Sequence, residues 1–352
     1  MRAHGCKALL PTGAGPGRPF SMDNPKRDTV ASSRKAPMSS SSDRIPLTVV
    51  HYGRTDPRVQ TGGVETFARN LGLAFREVLF MTPASRDVDL VRRRKLVVIC
   101  DNHTVLDWPD DVPVVGFQHG VAARKVLVTR SLGDLELAWL QRRAARRPRT
   151  LWVACAEWIS DTFARLHRNR ASHVVYHPVD LGRFDGRLDH EGSRLVLHDA
   201  RSPHKGSRQL SVLSRALPDW RFEALACRPE EVPARMRKAR AFVHLSRYEG
   251  NSIVCNEAMA MDLPCLFTRV GLMLDRRWDF DVQVLPPRVA FGAPRRLVHE
   301  VSTFLDTLGL REYHPRRWAL EHASHEANLQ SWSAVVEDFS QMSGWKPGES
   351  AA

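Results

Sequence analysis

Short apolar runs alternate with stretches of helical periodicity through most of this chain. Residues 47–52 read as a strand. Val64, Phe67, Ala68, Leu71 and Phe75 recur at helical spacing and predict a helix over 64–75. Further strands are expected at 78–81, 97–100, 112–117, 151–154 and 173–176, with helices at 132–147 and 157–166. The strand runs are apolar nearly throughout rather than alternating, which suits a parallel sheet covered on both faces. The alternation restarts after 178–189. Strands are expected at 195–197, 222–226, 241–245, 265–268 and 282–285, and helices at 207–216, 230–239 and 252–261. Helices close the chain from about 294 to 342. Two successive βα arrays predict an α/β protein built from two doubly wound, Rossmann-like domains facing a cleft.

Composition narrows the class. A length of 352 residues suits about two domains. With 43% hydrophobic and 26% charged residues, disorder throughout is excluded. No run of 18 apolar residues exists, so a spanning helix is excluded. Near the start the only apolar stretch is 8–10, too short for a secretory signal. Six cysteines are scattered without a C-x-x-C pair, which argues against zinc and predicts reduced, buried thiols in a cytosolic protein. Residues 1–44, rich in Gly, Pro, Ser and basic side chains, predict a disordered basic tail.

Four segments carry candidate chemistry. The sharpest is Ser246-Arg247-Tyr248-Glu249-Gly250-Asn251-Ser252, which follows a strand and leads into a helix containing Glu257. A helix start of this kind, at Gly250, Asn251 and Ser252, offers free N–H groups to an anion. Glu249 can accept hydrogen bonds from hydroxyls, and Glu257 could reach another polyol. The second segment is 199–206, where Arg201 and Lys205 lie between a strand and a helix and suit a pyrophosphate. The third is the glycine pair Gly62-Gly63 ahead of the first helix, which permits close backbone approach. The fourth is His119, at a strand end, where a sugar hydroxyl or a cleft charge could be met.

Together these segments resemble the retaining family-4 glycosyltransferases of the GT-B fold (glycosyl transferases group 1), over about residues 46–340. Gly62-Gly63-Val64-Glu65 is similar to the family's early glycine turn, and residues 177–184 to its interdomain segment. Arg201 and Lys205-Gly206 are similar to its G-R-x-x-x-x-K-G loop, and 246–260 to its S-x-x-E-G…E-A-x-A stretch. Ala200, His177-Pro178 and Leu272 depart from the pattern. The resemblance implies an N-terminal acceptor domain at 45–185, a C-terminal nucleotide-sugar domain at 186–318, and a C-terminal helix and tail at 319–352 returning to the first domain. It implies that Arg201 and Lys205 hold the donor diphosphate, Glu257 the ribose and Glu249 the transferred sugar. Gly62 and Gly63 would line the phosphates and His119 would lie near the sugar. A nucleotide-sugar co-substrate is implied, with no cofactor and no metal, and an acceptor that is a sugar, a lipid-linked glycan or a small molecule.

Charge adds one expectation. The net charge is +13, of which the tail carries +5, residues 45–185 +6 and the remainder +2. Arginines crowd 92–95 and 142–149, the latter at the end of a helix bearing Leu132, Leu135, Trp139 and Leu140. This predicts a cytoplasmic protein that rests peripherally on an anionic membrane face. No nucleic acid is expected as a partner, since aromatics are not interleaved with the basic runs. The rival readings are a sugar-nucleotide-binding relative that has lost transfer, or a basic membrane- or nucleic-acid-binding protein.

Overall fold

The computed structural model describes residues 44–60, 62–275 and 279–347. The expected tail, apart from Arg44, lies outside the described residues.

The first half is a parallel six-stranded sheet. Its strands are β1 (Ile45–Tyr52), β2 (Phe75–Met81), β3 (Val97–Asp101), β4 (Val114–Gln118), β5 (Thr150–Ala154) and β6 (His173–Val174), in the order β2-β1-β3-β4-β5-β6. The helices between them are α1 (Gly63–Ala74), α2 (Val88–Arg94), α3 (Ala122–Thr129), α4 (Leu132–Ala144) and α5 (Glu157–His167). The apolar runs place Val49, Val50, Val98, Ile99, Val114 and Val115 wholly out of solvent, because both sheet faces are covered.

The second half is a parallel five-stranded sheet in the order β11-β10-β9-β7-β8. It contains β7 (Leu195–His198), β8 (Arg221–Ala224), β9 (Ala241–His244), β10 (Cys265–Thr268) and β11 (Gln283–Leu285). Its helices are α6 (Ser207–Ala216), α7 (Val232–Arg237), α8 (Ile253–Ala260), α9 (Pro287–Ala290) and α10 (Pro294–Thr307). Two helices close the chain, α11 (Arg316–His322) and α12 (His325–Ser343). The last returns to the first half: buried Trp332 packs on the rings of Phe75 and Phe117, and His173 Nε2 lies 2.8 Å from Asp338.

Element boundaries differ from expectation where one residue serves two roles. Phe75 has extended backbone and pairs with Ile45, so the first helix runs into β2 without a loop. The helix expected over 132–147 stops at Ala144, and the buried Arg147 guanidinium instead donates to the carbonyls of Pro109 and Val112. Helix α3 was not legible because none of its residues is buried, so no apolar stripe marks it. Of the cysteines described, Cys100, Cys155, Cys255 and Cys265 are free and buried, and Cys227 is free.

Candidate functional site

In each sheet the connections diverge at one pair of strands, β1/β3 in the first and β7/β9 in the second. A crevice opens at the carboxyl ends of such strands, where open α/β sheets bind ligands. Both crevices hold a buried acid–histidine pair, His51 with Asp101 and His244 with Asp199.

At the second crevice four charged groups meet. His244 Nδ1 lies 2.6 Å from Asp199 Oδ1, and Lys205 Nζ lies 3.2 Å from Asp199 Oδ2. Glu249 Oε1 is 3.3 Å from both Lys205 Nζ and His244 Nε2. Burial alone would raise the Asp199 carboxyl, yet His244 and Lys205 hold it well below the usual carboxylate range. Glu249 is likewise lowered: burial opposes ionisation, and His244 with Lys205 outweighs it. Burial would lower His244, but Cys255 and Asp199 hold it well above its ordinary value. Two acidic side chains, Asp199 and Glu249, thus stand against two basic ones, His244 and Lys205.

Local backbone explains why these groups converge. Gly206 has φ +80, and a β-carbon there would collide with the Leu245 carbonyl, so the loop bearing Lys205 lies directly on the end of β9. Gly271 has φ +58, and a β-carbon would come within 2.8 Å of Glu249 Cβ. Leu272 beside it is buried. Arg201 is exposed on the same loop as Lys205 and meets no carboxylate among the described residues; its guanidinium reaches only the Leu225 carbonyl, at 3.5 Å. Helix α8 opens at Ile253 after Ser252. Glu257, half-buried on α8, accepts no hydrogen bond among the described residues, and burial pushes its carboxyl up to about 7 against the opposing charge of Arg183.

At the first crevice Asp101 Oδ1 accepts from His51 Nε2 at 3.1 Å and from His119 Nε2 at 2.8 Å. Burial would raise the Asp101 carboxyl, but the two histidines hold it well below the usual range. An ionised carboxylate only accepts hydrogen bonds, so His119 carries its proton on Nε2, and in the neutral ring Nδ1 is left as an acceptor. The His119 N–H is held by Asn102 Oδ1 at 3.0 Å. His177, 5.8 Å from His119 by ring centroid, is lowered to about 3 by burial and by the His119 charge.

The two crevices face each other across short contacts. Gly250 lies against the His119 carbonyl, with no room for a β-carbon. Tyr248 Oη accepts from Val121 N–H at 2.8 Å and donates to the Val121 carbonyl at 3.1 Å. Trp158 Nε1 donates to the Gly250 carbonyl, and Asn251 Nδ2 to the Cys155 carbonyl, both at 2.9 Å. Asp275 caps α5 from the other half, accepting from Glu157 N–H at 3.0 Å and Trp158 N–H at 2.7 Å.

Among the residues singled out in the sequence, Lys205, Glu249, Gly250, Asn251 and His119 are brought together. Arg201 and Ser252 sit on the two loops that frame the second crevice. Glu257 lies farther along α8. Gly62 and Gly63 open α1, whose Phe67 ring packs 4.8 Å from that of His119, and a β-carbon at Gly63 would meet nothing within 4 Å. One of the two N–H donors of the Asn251 amide is used by the Cys155 carbonyl. Sequence reasoning missed Asp101, His51, His244 and Asp275. Among the described residues, no group of three or more His, Cys, Asp or Glu side chains is arranged to hold a metal ion.

Residues 204–279, which contain the second crevice's Lys205, His244 and Glu249, match the family described as glycosyl transferases group 1. The whole fold is similar to that of sucrose-phosphate synthase from Thermosynechococcus elongatus, at 12% identity and a TM-score of 0.66 over 83% of this chain and 98% of that one. The chain has the GT-B fold, and its stretch 204–279 is similar to glycosyl transferases group 1. Similar folds include Anabaena HepE solved with UDP-glucose, at 14% identity and TM-score 0.63 over 83% of this chain and all of that one. Another is the lipopolysaccharide outer core galactosyltransferase WaaB, at 12% identity and TM-score 0.54 over 83% and 99%. No curated protein matches the sequence.

Proposed function

We propose that this protein is a nucleotide-sugar-dependent glycosyltransferase that binds its donor at the second crevice and moves the sugar, with retention, to an acceptor held by the first half. The observation that carries this reading is the Asp199–His244–Lys205–Glu249 cluster, seated at a sheet switch point and covered by the loop that touches His119. Because Lys205 is already engaged by Asp199 and Glu249, an arriving diphosphate needs charge from elsewhere as well. Arg201, which has no carboxylate partner among the described residues, and the N–H groups at the start of α8 near Gly250–Ser252 supply it. Lys205 exchanges one carboxylate for a phosphate oxygen. As the sugar bond breaks, negative charge grows on the leaving diphosphate, and Arg201, Lys205 and the N–H groups stabilise it there without a metal ion.

Glu249 is fixed by His244 and Lys205 and presents its remaining acceptor capacity to hydroxyls of the transferred sugar. Glu257 takes the ribose diol. His119, held by Asp101, offers Nδ1 to a sugar hydroxyl, and Gly62-Gly63 at the start of α1 lines the donor phosphates from the first half. The acceptor is a glycan, lipid-linked or small-molecule hydroxyl, met in the cytoplasm or at the inner face of a membrane. The presence of Glu249, Glu257, Arg201 and Lys205 together favours an active enzyme over a binding relative.

A panel of nucleotide sugars, read by donor hydrolysis and thermal stabilisation, tests the reading, with UDP-glucose first because HepE is solved with it. A donor at 100 times its Kd adds about 2.7 kcal/mol. If no nucleotide sugar shifts the melting temperature or is hydrolysed, the proposal fails.

A further inference from the structure

Helix α4, which packs beside α3, is built with its polarity reversed. The residues α4 buries are Asp134, Gln141 and Ala144. Its outer face shows Leu132, Leu135 and Trp139, at 83%, 56% and 55% exposure, and α3 adds Leu127 at 71%. The buried polar groups explain the inversion. Asp134 pairs with Lys125 at 2.8 Å and accepts from Thr129 at 2.6 Å, which ties α4 to α3. Gln141 accepts from Ala122 N–H and donates to the Gly120 carbonyl and to Gln118, which ties α4 to the strand end bearing His119. Hydrogen bonding inside the hairpin thus leaves the large apolar side chains facing water, where a helix ordinarily places charge. Four exposed large apolar residues on consecutive helices form a patch, not isolated surface leucines.

We propose that this hairpin seats on an anionic lipid bilayer. Arginines flank the apolar face: Arg124, Arg130, Arg142 and Arg143 are exposed, against exposed Glu136. The Arg143 guanidinium lies 4.8 Å over the Trp139 ring, joining charge and apolar surface in one unit. Apolar side chains enter the headgroup boundary while arginines meet lipid phosphates, the arrangement of an interfacial helix. Among the described residues no helix is long and apolar enough to cross a membrane, so attachment by these helices is peripheral. The seat is also continuous with the site, since α3 follows Val121, which both bonds of Tyr248 Oη hold. A lipid-anchored acceptor would arrive beside His119. This last step rests on the proposed transfer reaction; the docking does not.

Co-sedimentation of the full chain with vesicles separates the two. Vesicles of phosphatidylcholine alone are compared with vesicles that also contain phosphatidylglycerol, at low and high salt. Binding is expected only to the second kind and weakens with salt. The triple variant Leu127→Ser, Leu132→Ser, Trp139→Ser should bind about tenfold or more weakly with an unchanged melting temperature. Absent or lipid-independent binding overturns the proposal, and so does a triple variant that binds like the parent. A concentration-dependent dimer that the same variant dissociates, without vesicle binding, reassigns the face to a second copy. No donor or turnover is needed, so failure of the transferase reading leaves this result standing.

Discussion

Gly250 of the second half packs so tightly on the carbonyl of His119 in the first that a β-carbon would fall inside the oxygen's van der Waals shell. The obstacle is backbone, which cannot swing aside. Gly250→Ala should therefore push the two crevices apart, costing about 1–3 kcal/mol of stability and most of the transfer activity. Small-angle scattering should show a more open molecule. Gly63→Ala is the contrast, because a β-carbon there meets nothing within 4 Å. It should leave the melting temperature unchanged, and an effect confined to ligand affinity would place a ligand at the start of α1. A fully active Gly250→Ala with parental scattering removes the argument that the observed contact belongs to the working enzyme.

The charge cluster predicts different consequences for its cations. Arg201→Ala removes a guanidinium with no carboxylate partner among the described residues, so donor affinity and turnover fall while stability holds. Lys205→Ala also strips a partner from both Asp199 and Glu249. It should weaken donor binding by a charged hydrogen bond, about 1.5–3 kcal/mol, and lower the melting temperature as well. Glu249→Gln keeps the shape, removes the charge and replaces one acceptor oxygen by an amide donor. It should impair transfer more than binding of the nucleoside diphosphate, which lacks the sugar. Equal losses in the two assays would contradict the role given to Glu249.

Asp101 acts on His119 through orientation. Asp101→Asn retains the shape, but its amide can donate to the imidazole, so the ring can take the other tautomer. Turnover should drop with little change in affinity for nucleoside diphosphate, and the pH profile of turnover should shift. His119→Ala should cause a loss of similar size, and the double variant should be no worse than either alone, because the two act as one unit. Additive losses would mean that Asp101 serves only the fold.

Much of this architecture was legible because a covered parallel sheet demands runs such as Val97–Asp101, and the helices between repeat their apolar face every three or four residues. The Lys205–Gly206 and Glu249–Gly250 pairs were legible for a related reason: strand, glycine and helix start in immediate succession place a loop at the carboxyl end of a parallel strand. What sequence could not give was pairing across distance. Asp199 and His244 are 45 positions apart, and Asp101 and His51 50. Each reads singly as an ordinary polar strand end. Only adjacency of β7 with β9, and of β1 with β3, makes them buried ion pairs. The inverted face of α4 shows the same limit. Its leucines read as an apolar face with a basic end, and only the partners of Asp134 and Gln141 reveal which polar groups hold the other side in.

Glu257 supplies a pH test of the site. Its carboxyl is raised from 4.5 to about 7 in the folded chain, chiefly by burial. Between those two values the folded state holds a proton that the unfolded chain has released. The associated stability is present in full below the unfolded value and is lost as pH rises through about 7. A tenfold change in acidity corresponds to about 1.36 kcal/mol, so the penalty above pH 7 is on the order of 3 kcal/mol. The melting temperature of the unliganded protein should thus fall as pH goes from 6 to 8. Glu257→Gln, uncharged throughout, should flatten that slope and be the more stable protein at pH 8. A ribose diol donating to the ionised carboxylate would reverse the balance, since hydrogen bonds to the charged form favour it. Saturating nucleoside diphosphate should then stabilise the parent more than Glu257→Gln, with the gap widening from pH 6 to 8. The phosphates titrate in both proteins alike, so the difference between them isolates the carboxyl. A slope unchanged by Glu257→Gln would show that another group governs the unliganded protein, and an equal ligand effect would remove the ribose from Glu257.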